Sequence, residues 1–261
     1  MGVKLSMSLL GANDPPPVRV TNPGGRSSFL LIGDHAGRTM PAMLGSLGLG
    51  EADLDRHIAW DIGVAGLGRR LAVTLDACFI EQIYSRLVID CNRAADSDEA
   101  CVSVSDGTPV PGNMGLGVAE RAERLRAIHM PYQAAVAAEL ARRDAGGRLT
   151  ILVSLHSFTP VMGGVARPWD VGVLYDRGSI AFALALLDRF RAMGDRVVGD
   201  NEPYRMDDTD HSVPRHAYAA GRPYAEMEIR QDHLADVAGQ AAWSNWLAGA
   251  LRAVARESGL S

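Results

Sequence analysis

Ile151-Leu152-Val153-Ser154-Leu155-His156-Ser157-Phe158-Thr159-Pro160 is the stretch whose reading decides the fold. Five of the six residues from Ile151 to His156 are apolar or small, as in a strand covered on both faces. Polar turn residues follow the histidine. In open α/β sheets, chemistry collects where strands end and loops begin. A histidine at such an end is a metal ligand, an acid/base group or a buried hydrogen bonder, and this stretch alone leaves the three open.

Similar signals recur on both sides of it. Apolar runs predict strands over 28–32, 77–84, 87–89, 171–175, 197–198 and 224–229. Helical spacing predicts helices over 57–75, 118–143, 179–193 and 234–256, with a kink near Met130 where Pro131 interrupts the second. Residues 1–27 read as an irregular arm, rich in Pro, Gly, Asn and Ser from residue 12 on. Residues 94–117 and 201–221 read as long polar loops, the second a candidate lid. The alternation of strand and helix implies α/β architecture, one domain over 1–261 with a mainly parallel central sheet.

Composition narrows the function classes. The 261 residues are 47% hydrophobic and 22% charged, ordinary for a soluble globular chain. A formal charge of −5 argues against nucleic acid as partner, because neutralising phosphates needs a basic face. No apolar run is long enough to span a membrane, and residues 1–13 do not read as a signal peptide. Cys78, Cys91 and Cys101 form no CxxC pair, which fits free thiols in a reducing compartment. The expected location is the cytoplasm. The oligomeric state is not set, and a homo-oligomer is open.

Three strand ends carry ligand-type groups: Asp34-His35, His156 and Glu228. A hydrolytic zinc takes three protein ligands and keeps a position for water. His35 and His156 are the candidate imidazoles. The carboxylate is Asp61 or, as the second choice, Asp34, which could instead orient His35. Period-2 alternation puts Glu226, Glu228 and Arg230 on one face of a strand. That face is either a solvated edge or a site with Glu228 as general base, Glu226 lying deeper and paired with an arginine. Arg86, Asp90, Asn92 and Arg93 cluster at another strand end, as a carboxylate-binding fork or as an internal Arg86–Asp90 ion pair. His57 and His129 read as packing residues. His211 and His216 lie in the polar loop, where His216 is a candidate substrate contact. Neither a phosphate-binding glycine loop nor a nucleophile elbow is present.

Asp34-His35-Ala36-Gly37, Ala59-Trp60-Asp61-Ile62-Gly63, Ser85 to Arg93, Leu155 to Pro160 and Glu228 to Asp232, in that order, resemble the N-formylglutamate amidohydrolase family. That family is similar to zinc carboxypeptidases, which implies a three-layer, zinc-exopeptidase-like fold of the phosphorylase/hydrolase type. His156-Ser157-Phe158 resembles the carboxypeptidase ligand turn, Asn92-Arg93 its substrate-carboxylate pair, and Glu228-Ile229-Arg230 its general-base segment. Where carboxypeptidases use His-x-x-Glu, this chain has Arg38, so the carboxylate ligand comes from elsewhere and Asp61 fits. Gln133 stands where many relatives carry histidine. The resemblance implies cleavage of N-formyl-L-glutamate to formate and glutamate, as in histidine degradation. It further implies zinc on His35, Asp61 and His156, with Glu228 and Arg86 catalytic and Asn92, Arg93, Arg230 and His216 around a small carboxylate-bearing amide. Another N-acyl amino acid or a peptide end is the alternative substrate. A silent dicarboxylate-binding protein is the alternative class.

Overall fold

The structure, a computed structural model, describes residues 8–260. The strands are β1 (Val18–Thr21), β2 (Phe29–Gly33), β3 (Cys78–Gln82), β4 (Val104–Ser105), β5 (Thr108–Pro109), β6 (Ile151–Phe158), β7 (Val161–Met162), β8 (Val165–Ala166), β9 (Val171–Leu174), β10 (Val198–Asp200) and β11 (Tyr224–Arg230). The α-helices are α1 (Glu51–Leu54), α2 (Val64–Leu75), α3 (Val118–Arg124), α4 (Met130–Ala145), α5 (Ala181–Met193) and α6 (Val237–Glu257). Seven strands form one sheet in the order β1-β3-β2-β6-β11-β9-β10. Pairing is parallel from β3 through β2 and β6 to β11, and again between β9 and β10; β1–β3 and β11–β9 are antiparallel.

Side-chain alternation splits the core into two. Phe29, Leu31, Val153, Leu155 and Met227 face α2, α5 and α6, while Leu30, Ile32, Leu152, Cys78 and Ile80 face the α4 side. The result is three layers, helix–sheet–helix, with β6 fully buried at the centre. Among the described residues no helix is long and apolar enough to cross a membrane.

Several local expectations are corrected. The arm over 1–27 is not wholly irregular. Val18–Thr21 pairs with β3 and is the edge strand of the sheet, while residues 1–7 lie outside those described. Leu87 to Ile89 is a buried turn rather than a strand, because a three-residue apolar run satisfies either geometry. β6 continues to Phe158, so His156 lies inside the strand and not at its end. The kink expected near Met130 falls where the helical pitch changes. A wide turn over Leu125–His129, with Met130 N–H bonded to the Leu125 carbonyl, joins α3 to α4 and absorbs the proline ring. All three cysteines are free and buried.

The loop after β2 is held to the segment after β3 by a close backbone approach. Thr39 N–H bonds to the Ile83 carbonyl at 3.1 Å, and a Cβ on Gly37 would fall 2.0 Å from that oxygen. Gly37→Ala is therefore expected to cost at least ~2 kcal/mol, seen as a fall in Tm of roughly 4–8 °C. An unchanged melting curve would show that this contact does not hold the loop.

Candidate active site

A cleft of about 710 Å³ opens at the carboxyl ends of β2, β6 and β11. His35 reaches it from the turn after β2. Asp61 reaches it from the turn before α2, where the Asp61 N–H bonds to the His35 carbonyl at 2.9 Å. Gly63, at φ 83°, lets that turn pass Leu234, whose Cβ lies 2.4 Å from where a glycine Cβ would stand. The parallel register of β6 and β11 sets His156 opposite Glu228 and Ser154 opposite Glu226. Period 2 then turns all four to one side of the sheet, where His156, Glu226 and Glu228 line the cleft, while Leu155 and Met227 enter the core behind.

The two imidazoles and Asp61 converge. Asp61 Oδ2 lies 3.0 Å from His156 Nδ1 and 3.6 Å from His35 Nδ1, and the ring centroids are 5.0 Å apart. One ligand atom from each lies within 4.8 Å of the others, and all three residues are buried. The far nitrogens are held from behind. His35 Nε2 donates to Asp90 Oδ1 at 2.6 Å. His156 Nε2 faces Ser154 Oγ at 3.0 Å, Asp34 Oδ2 at 3.6 Å and Glu226 Oε2 at 3.9 Å. In a neutral ring with its proton on Nε2, Nδ1 presents a lone pair. Both such lone pairs would face Asp61 Oδ2, an arrangement relieved by a cation between them or by a proton on Nδ1 donated to Asp61. His35 Nδ1 has no hydrogen-bond partner although buried. The donor set of two nitrogens and one carboxylate oxygen fits zinc. Asp34, the second-choice ligand, instead backs His156 and accepts from Ser212 Oγ at 2.8 Å.

Charge around the trio is closely packed. Burial pushes the Asp61 carboxyl up, but His35 and His156 outweigh it and hold the group far below the usual range. Burial lowers His156, yet the Glu226, Asp34 and Asp61 carboxylates raise it well above an ordinary imidazole. Burial pushes the Glu228 carboxyl up to about 8. Glu228 Oε2 is buried without a partner in the same cleft.

The remaining expected residues divide. Arg86 lines the cleft and forms the internal ion pair, Nη2 to Asp90 Oδ2 at 2.7 Å, while Nη1 lies 3.4 Å from Asp61 Oδ1. Asn92 and Arg93 line it too. Glu226 is not paired with an arginine, since its register brings it against His156. Arg230 does not line the cleft. At the strand's end its long side chain turns to Asp232 at 2.8 Å and Asp170 at 3.4 Å. His216 is also outside the cleft, on a wide turn over Pro214–Tyr218, bonded to Gln133 Oε1 at 2.7 Å. Burial lowers its pKa to about 4. His57 reaches the cleft wall and faces Asp106 at 3.4 Å. Within 201–221, Pro203 to Asp210 forms a wall of the cleft. Asp90 as the partner of His35 was missed, although a carboxylate just after an apolar run was the available signal.

Comparison with known proteins adds identity to this geometry. The sequence matches the N-formylglutamate amidohydrolase family over residues 27–235. The gene product Atu2144 from Agrobacterium tumefaciens has the same fold at a TM-score of 0.92 and 33% identity, covering 96% of this chain and 99% of that one. The N-formylglutamate amidohydrolase from Ralstonia eutropha JMP134 aligns at 0.72 and 18% identity, covering 92% and 97%, a likeness of fold. No curated protein matches the sequence. The class is that of the amidohydrolases, enzymes acting on an amide bond. Within it, the chain belongs to the N-formylglutamate amidohydrolase family.

Asp90→Asn would weaken the anchor of His35 and unpair Arg86. Zinc affinity, measured by competition with a chromophoric chelator, is expected to fall about 10–100-fold while the far-UV spectrum is kept. Affinity equal to wild type would separate Asp90 from the centre.

Proposed function

We propose that the chain is a zinc-dependent amidohydrolase that removes the acyl group of an N-acyl amino acid. Hydrolysis of N-formyl-L-glutamate to formate and glutamate is the reaction that family membership supplies. One observation carries the reading: His35, Asp61 and His156 meet at a point, and a buried, unpartnered carboxyl oxygen of Glu228 faces the same cleft.

His35, Asp61 and His156 would hold the ion. When bound there, zinc supplies a Lewis acid for the acyl oxygen and lowers the pKa of water. Glu228 takes the proton of the attacking water as its oxygen adds to the acyl carbon. It then delivers that proton to the amide nitrogen as the carbon–nitrogen bond breaks, so the amine leaves neutral and the acyl group departs as its acid. Arg86 keeps Asp61 and Asp90 in place and adds positive charge on the side where the acyl oxygen gains negative charge. Asp90 and the Ser154–Asp34–Glu226 group keep the imidazoles turned toward Asp61.

Formate release from N-formyl amino acids by zinc-loaded protein tests this directly. Chelation should abolish release and zinc should restore it. Glu228→Gln should lower kcat by about 10²–10⁴ with zinc content unchanged. Full turnover by that variant, or by the chelated protein, would refute the mechanism. Binding of an N-formyl amino acid without release by zinc-loaded wild type would mark a binding protein instead.

A further inference from the structure

The Asp34 carboxylate that backs His156 is itself the end of a row of buried side chains. Asp34 Oδ1 accepts from Ser212 Oγ at 2.8 Å, Ser212 Oγ accepts from Gln133 Nε2 at 3.0 Å, and Gln133 Oε1 accepts from His216 Nε2 at 2.7 Å. All four residues are buried, Ser212 and Asp34 fully so. Ser212, Gln133 and His216 do not line the cleft.

The direction of these hydrogen bonds is fixed from the far end. Gln133 Nε2 also faces the Cys91 carbonyl at 2.8 Å, and a carbonyl only accepts, so the amide nitrogen lies on that side. Gln133 Oε1 is then left for His216, which gives it the Nε2 proton. Burial keeps the His216 ring neutral, with that one proton. Asn92 Oδ1 accepts the N–H groups of His211 and Ser212 at 3.0 and 2.9 Å, which pins the backbone carrying the hydroxyl. The Ser212 hydroxyl has one proton to give. With the Gln133 N–H on its lone pair, that proton goes to the charged Asp34 Oδ1 at 2.8 Å rather than to the Cys91 carbonyl at 3.4 Å. Every donor in the row therefore points toward Asp34.

Held at Oδ1, the Asp34 carboxylate presents Oδ2, which has no hydrogen-bond partner, to His156 Nε2 at 3.6 Å. Ser154 Oγ is closer, at 3.0 Å, but a hydroxyl gives or takes a proton and so does not choose the tautomer. Of the two carboxylate oxygens facing Nε2, that of Asp34 is the nearer, Glu226 Oε2 lying at 3.9 Å. We propose that Ser212 and Gln133 are positioning residues for the metal centre, holding Asp34 so that His156 keeps a proton on Nε2 and turns Nδ1 to the ion. This role rests on zinc being held by His35, Asp61 and His156. His216, expected from the sequence to touch the substrate, stands at the head of the row instead.

Ser212→Ala and Ser212→Cys test this in the full chain, the second filling the hydroxyl's space with a weak donor. Zinc affinity, from competition with a chromophoric chelator, is expected to fall about 10-fold in both. Nitrogen NMR of the metal-free chain, with isotope-labelled histidine, gives a second readout. Wild type should show a protonated His156 Nε2 in slow exchange with water, identified by its loss in His156→Asn. In both Ser212 variants that proton should move upfield and exchange faster. Gln133→Met should move it the same way by less, since Ser212 is then free to turn to Cys91. Wild-type zinc affinity and an unmoved Nε2 proton in variants of lowered Tm would overturn the inference, as would a wild-type His156 with Nε2 bare. Should the Ser212 variants misfold, Gln133→Met and the wild-type Nε2 state decide. Failure of wild type to bind zinc defeats the metal reading, and the Nε2 proton then decides the hold on His156 by itself.

Discussion

A carboxylate buried between two imidazoles is the constraint on which this site depends. Asp61 has been taken out of water, and an uncompensated carboxylate there would cost several kcal/mol. His35, His156 and Arg86 supply the compensation from three different segments. The surrounding architecture answers the need to bring them together. The turn after β2 carries His35, the central strand carries His156, and the turn before α2 is tied to His35 by a backbone hydrogen bond. Helices on both faces keep water from the sheet, so the charges interact in a low dielectric.

The acidic ring beyond the trio follows from the same requirement. Asp90 orients His35, while Asp34 and Glu226 back His156. Each turns an imidazole so that Nδ1 faces the centre. Collecting this many carboxyls makes a strongly negative cavity, and a cation at its middle is the simplest way to balance it.

The sequence shows those parts of this arrangement that depend on local order. The run of apolar and small residues before His156 marks a central strand, and alternation puts Glu226 and Glu228 on one face. Arg38 at the usual carboxylate spacing directs attention to Asp61. Long-range pairings are hidden from such reasoning. That Asp210 would accept a hydrogen bond from Asn92 Nδ2 depends on residues 118 positions apart, and nothing local separates it from Asp207 or Asp208. Alternation also sets only the direction of Cβ. Arg230 leaves its expected face because a long side chain can turn to carboxylates near the strand's end. Leu87–Ile89 shows the limit of a short apolar run, which is buried as a turn as readily as in a strand.

Anomalous diffraction at the zinc edge, from crystals grown with zinc, tests the central claim most directly. The expected result is one strong peak bonded at about 2.0–2.2 Å to His35 Nδ1, His156 Nδ1 and Asp61 Oδ2. Zinc bound only at surface carboxylates, with those three side chains ordered and no peak between them, would contradict it.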